Sequence, residues 1–142
     1  MRLYLAGLLA AATLLAQAPA DSTPPAASMK QLMVDLIHPA SNEILLSIFR
    51  GGPKNETEWA VVRRGALTLA EAGGILRARG PNQDGWIKDA KLLADAGAAA
   101  YKAAQAKDGK ALAAVADLLD ASCTTCHKQY RPNVFPREGS SK

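Results

Sequence analysis

The sequence predicts an all-α fold, an antiparallel up-down-up-down bundle of four helices. Three observations carry that expectation. Alanine is abundant from Ser28 onward, aromatic residues make up only 5% of the chain, and β-branched runs are nearly absent, which favours helix over strand. Four segments repeat apolar residues every three or four positions, the period of one helix face. Clusters of Gly, Pro, Asn and Asp separate these segments, so the connections are short and neighbouring helices run most simply in opposite directions.

The first helix starts at Ser28, with Gln31 three residues later as a capping box. Its apolar face reads Met33, Leu36, Ala40, Ile44 and Ile48. Pro39 lies inside that pattern, and is expected to kink or split the helix, with Ser41 or Asn42 restarting the second half. Gly51-Gly52-Pro53 ends it. Asn55 or Thr57 caps the second helix, whose stripe is Trp59, Val62, Ala66, Leu69, Gly73 and Leu76, closed by Arg77-Ala78-Arg79-Gly80-Pro81.

Asp84 begins the third helix, with the stripe Ala90, Leu93, Gly97, Ala100 or Tyr101, and Ala104. Lys107-Asp108-Gly109-Lys110 is a turn with Asp108 as the cap of the fourth helix, which carries Leu112, Val115, Leu119 and Ser122 inward and arrives at Cys126. The small residues Ala66, Gly73, Gly97 and Ala100 either leave room in the core for a bound group or let two helices approach closely.

This domain spans residues 21–142. Residues 1–20 read as a secretory signal peptide: Met1-Arg2 is a short positive start, Leu3 to Leu15 is almost wholly apolar, and Ala18-Pro19-Ala20 is a small-x-small cleavage site. The apolar run is shorter than the ~20 residues a membrane span needs, and no later segment is expected to cross a bilayer. Asp21 to Ser28, with two prolines, is a loose lead-in. The whole chain has a net charge of +4, and loss of Arg2 with the leader leaves +3. Lys and Arg form no cluster, so no nucleic-acid partner is expected.

The only cysteines are Cys123 and Cys126. In an oxidising compartment such a pair is ordinarily a disulfide, but His127 follows at once. Cys123-Thr124-Thr125-Cys126-His127 is a C-x-x-C-H motif, which attaches a c-type haem. On a helix Cys126 lies about 60° to one side of Cys123 and His127 about 40° to the other, so two sulfurs and an imidazole face one edge and one side of a flat disc. A thioredoxin-like redox pair opens a helix after a strand; this motif closes a helix. A zinc site wants a fourth soft or imidazole ligand, and only His38 remains.

The fifteen residues after His127 contain neither Met nor His. A sixth ligand to the iron must come from upstream, where the mature chain offers Met29, Met33 and His38, all on the first helix. Met29 and Met33 are one turn apart on one face, and His38 lies about 140° around from Met33. Met33 sits on the core stripe well inside the helix and ranks first, ahead of Met29 at the first turn and then His38. The alternative is that the methionines only fill the core and the iron is five-coordinate.

A haem motif ending the last helix of an exported four-helix chain resembles the class II cytochromes c, the cytochrome c-prime family. The stretch from Cys123 to Arg131, C-T-T-C-H-K-Q-Y-R, is similar to that family's terminal signature, with an aromatic-Arg pair after the motif. The resemblance implies one haem c bound through Cys123 and Cys126 with His127 as proximal ligand. Met33 is similar to the methionine of the low-spin, electron-carrying members; high-spin members bind small gases such as nitric oxide.

Pro39 and the tail from Pro132 to Lys142 depart from the family pattern. Arg131, Arg77 and Arg79 are candidate partners of the haem propionates. The expected function is a periplasmic electron carrier with redox partner proteins and no enzymatic activity of its own. The resemblance also allows a homodimer through the first helices. The alternative is a five-coordinate protein that binds nitric oxide.

Overall fold

Ser28 opens the first helix by the predicted capping box. Its hydroxyl accepts the Gln31 backbone N–H at 3.2 Å, and the Gln31 side chain accepts the Ser28 N–H at 2.9 Å. In the computed structural model, which describes residues 24–131, four helices follow and no strand occurs among the described residues. They are α1 (Met29–Phe49), α2 (Glu56–Arg79), α3 (Asp84–Ala106) and α4, built from Gly109–Ala113 and Val115–Tyr130. The expected signal peptide at 1–20 and the tail from Pro132 lie outside the described residues.

Helix ends follow local chemistry. Asn55 caps α2 by accepting the Glu58 N–H at 3.0 Å, and Asp108 caps α4 by accepting the Ala111 N–H at 2.9 Å. Gly51 and Gly52 turn the chain out of α1 at φ of 85° and 81°, a region open to glycine at little cost. Lys107 adopts the left-handed conformation after α3 (φ 52°), and its ammonium reaches Glu56 at 2.5 Å. That ion pair ties the end of α3 to the start of α2.

The stripes of α2 and α4 are buried as expected: Trp59, Val62, Ala66, Leu69, Gly73 and Leu76 on one, Leu112, Val115, Leu119 and Ser122 on the other. In α3, Ala90, Leu93, Gly97, Ala100 and Ala104 are buried, and Tyr101 is only half-buried. The burial extends one turn earlier than expected, to Trp86 and Asp89.

The small residues of α2 and α3 mark close packing, so they leave no space in the core. A Cβ on Gly97 would come within 2.3 Å of the Ala70 backbone nitrogen, and one on Gly73 within 2.6 Å of the Ala90 carbonyl. The two helices make their most extensive contacts with each other, α1 packs on α2, and α4 packs on α3.

α1 departs from expectation in its first half. The helix runs unbroken through Pro39, and Leu32–Ile37 form a π-helical segment whose register is seen in the His38 N–H bonding to the Met33 carbonyl. A proline ring collides with the carbonyl four residues earlier in a regular α-helix; the wider π turn just before Pro39 accommodates the ring without ending the helix.

The extra residue in the turn rotates the buried face. Leu32 and Ile37, five apart, are buried, while Leu36 is exposed. Ala40 and Ile44 resume the predicted stripe. Contrary to expectation, α1 is long and apolar enough to cross a membrane by length and composition, its 21 residues containing an 18-residue stretch with a mean hydropathy of 1.2. The exposed Val34, Leu46 and Phe49 add to that value, while Leu32, Ile37, Ala40 and Ile44 belong to the helical core.

Candidate functional site

The last turns of α4 carry Cys123, Cys126 and His127, all half-buried, with both cysteines as free thiols. Their placement follows from the stripe that precedes them. Leu119 and Ser122 face the core, and the Ser122 hydroxyl donates to the Leu119 carbonyl at 2.9 Å while lying 3.9 Å from the Cys123 sulfur. The next turn brings Cys126 and His127 to the rim of that core.

Two cavities flank this turn. The larger, about 370 Å³, is lined by Met29, Met33, Trp86, Cys126, His127 and Tyr130, with Lys30, Val34 and Arg131 also on its wall. The smaller, about 40 Å³, lies among Met33, Ile37, Leu76, Leu93, Asp89, Ser122, Cys123, Cys126 and His127. Met33, Cys126 and His127 line both. Met29 lines only the larger, and His38 is exposed and lines neither. Of the three candidate distal residues, Met33 and Met29 thus share a cavity wall with the motif and His38 does not.

The electrostatics suit a ligand site. Burial lowers the pKa of His127, and the positive charge of Arg131 pushes it the same way, so the ring is neutral at physiological pH, the form that coordinates metals. Burial pushes the Cys126 thiol up to about 11, with Asp89 and Cys123 adding to the rise, and it raises Cys123 as well. A C-x-x-C pair poised for thiol–disulfide exchange has a depressed thiol pKa; this pair is shifted the other way.

Among the described residues no group of three or more His, Cys, Asp or Glu could hold a bare metal ion. The donor set suits a metal carried in a macrocycle: two thiols for attachment, one neutral imidazole, and a thioether across an apolar-walled cavity. The larger cavity falls in the range of about 300–1,000 Å³ usual for ligand pockets.

Of the arginines considered for propionates, Arg131 lines the larger cavity. Arg77 is exposed, and Arg79 donates to the Ala27 carbonyl, which fastens the lead-in segment to the end of α2.

Two residues of the site, Trp86 and Asp89, were not singled out from the sequence. Trp86 is buried, donates its indole N–H to the Leu76 carbonyl at 2.7 Å and meets the Tyr130 ring edge-on at 4.9 Å between centroids. Asp89 is buried and accepts a hydrogen bond from the Gln129 side-chain amide at 3.2 Å. One signal was available: extending the α3 stripe back from Ala90 by one turn reaches Trp86, and Asp89 shares that face three residues on. No family model, curated protein or solved structure matches this chain.

Proposed function

We propose that this chain is an exported c-type cytochrome of the class II kind, which carries single electrons between redox partner proteins in the periplasm. In this reading Cys123 and Cys126 tether one haem c by thioether bonds, His127 is the proximal iron ligand and Met33 the distal one. The observation that carries the reading is that Met33 of α1 shares the lining of both cavities with Cys126 and His127 of α4. A haem held in this way supplies a one-electron iron couple, whose potential methionine ligation raises.

The protein's own residues do the rest. His127, kept neutral by burial, offers a ring nitrogen without first losing a proton. Met33 closes the sixth position, which disfavours binding of outside ligands. Ile37, Leu76 and Leu93 wall the site with hydrocarbon, a low-dielectric surround that limits solvent access.

The antiparallel up-down-up-down arrangement belongs to the same reading. Gly73 faces Ala90 and Ala94 while Gly97 faces Leu69 and Ala70, so positions advance along α2 as they recede along α3. The leader at residues 1–20 accounts for export, and the burial of Leu32, Ile37, Ala40 and Ile44 supports α1 as a bundle helix.

Absorption spectra of the ferric and ferrous protein test the assignment. The wild type should be low-spin in both states, with a weak sulfur-to-iron band at the red edge of the ferric spectrum. Met33→Leu should turn it high-spin and speed carbon monoxide binding, while Met29→Leu and His38→Ala should leave it low-spin. A high-spin wild type would refute Met33 ligation and favour a five-coordinate protein that binds nitric oxide.

A further inference from the structure

Asp89 is the one carboxylate among the described residues that the fold buries, at 3% exposure. It stands on α3 at the wall of the smaller cavity, together with Met33, Cys123, Cys126 and His127. Its hydrogen-bond partner is the uncharged amide of Gln129, and none of the ion pairs among the described residues includes it. The neighbouring cation, Lys88, is exposed on the same helix. A buried charge without a counter-charge is costly, and an asparagine could make the same hydrogen bond without that cost. Burial raises the pKa of Asp89, and a positive centre in the adjoining cavity would favour its charged form.

We propose that Asp89 sets the reduction potential of the iron, as a buried negative charge that stabilises the ferric over the ferrous form. This inference rests on the cytochrome reading above. Ferric haem carries one more positive charge than ferrous haem, so a nearby anion favours oxidation, and the low dielectric of the site keeps that interaction strong. Methionine ligation pulls the potential up; Asp89 pulls it down, so the working value is a balance between α1 and α3. Gln129, two residues after His127, holds the carboxylate in place and is a positioning residue.

The test is a spectroelectrochemical titration of the holoprotein at pH 8, with haem per polypeptide measured on the same samples by pyridine haemochrome. At a fixed applied potential Asp89→Asn should raise the ferrous-to-ferric ratio about tenfold, which is about 59 mV for a one-electron couple. Asp89→Ser, which removes the same charge with a different shape, should shift it the same way, and Asp89→Glu should restore most of the wild-type value. Added salt should change these differences little, because the charge is buried. Lys88→Gln should shift the ratio in the opposite sense and lose its effect in salt. Haem-loaded Asp89→Asn and Asp89→Ser with ratios within twofold of wild type would overturn the proposal. A wild type without haem would instead overturn the cytochrome reading on which it rests.

Discussion

Gly73 and Gly74 are adjacent on α2, yet alanine should have opposite effects at the two positions, and Gly97 on α3 should behave like Gly73. In the middle of a helix Gly→Ala gains about 1 kcal/mol in helix propensity. At Gly74 nothing lies within 4 Å of the added carbon, so that gain should appear nearly whole. At Gly97 the added carbon would sit 2.3 Å from the Ala70 nitrogen and 2.8 Å from the Leu69 carbonyl carbon. These are backbone atoms of a hydrogen-bonded helix and cannot swing aside, so α2 and α3 must separate.

Overpacking of this kind costs about 1–3 kcal/mol, and contact with rigid backbone places Gly97 at the upper end. After the propensity gain the net loss should be about 2 kcal/mol. With a urea dependence of about 2 kcal/mol per molar, Gly97→Ala should unfold about 1 M earlier than wild type and Gly74→Ala about 0.5 M later. Circular dichroism reads both. A Gly97→Ala protein as stable as wild type, or a Gly74→Ala protein less stable, would refute the close crossing of α2 and α3.

Two other perturbations probe the ends of the bundle. Trp86→Phe keeps the aromatic contact with Tyr130 but loses the indole bond to Leu76; since that carbonyl also accepts the Gly80 N–H, the loss should be about 1 kcal/mol, against about 3–5 kcal/mol for Trp86→Ala, both read from urea unfolding. Glu56 is held below its ordinary pKa first by its bond to Lys107 and then by Arg63. A depressed carboxylate stabilises the fold above its unfolded pKa and loses that contribution as pH falls through the folded value, so Glu56→Gln should be less stable than wild type at pH 7 and the two should converge as pH drops well below 4.5.

The parts of the fold legible in the sequence are those where burial and helical period act alone. Trp59 through Leu76 on α2 and Leu112 through Ser122 on α4 lie inward as their spacing requires, and Ser28, Asn55 and Asp108 cap as their side chains allow. The first half of α1 was not legible, because the pattern was counted at 3.6 residues per turn across a segment that Pro39 widens. Leu36 is consequently exposed where burial was expected, and Leu32 and Ile37 take its place.

At the site, the C-x-x-C-H motif and Met33 were visible as residue types with a spacing. Asp89 was not, because a carboxylate on a core stripe reads as an exception to burial until its neighbours are known. The role of Arg79 was hidden for a related reason: its partner is a backbone carbonyl 52 residues away in sequence, which no local pattern announces.

The most direct test of the central claim is the intact mass of the purified protein after denaturation, alongside extraction with acidified acetone. The account predicts a chain lacking its leader and heavier by one haem, with no colour entering the organic phase and the added mass mapping to the peptide that contains Cys123 and Cys126. A mass equal to the polypeptide alone, or complete extraction of the haem, would contradict it.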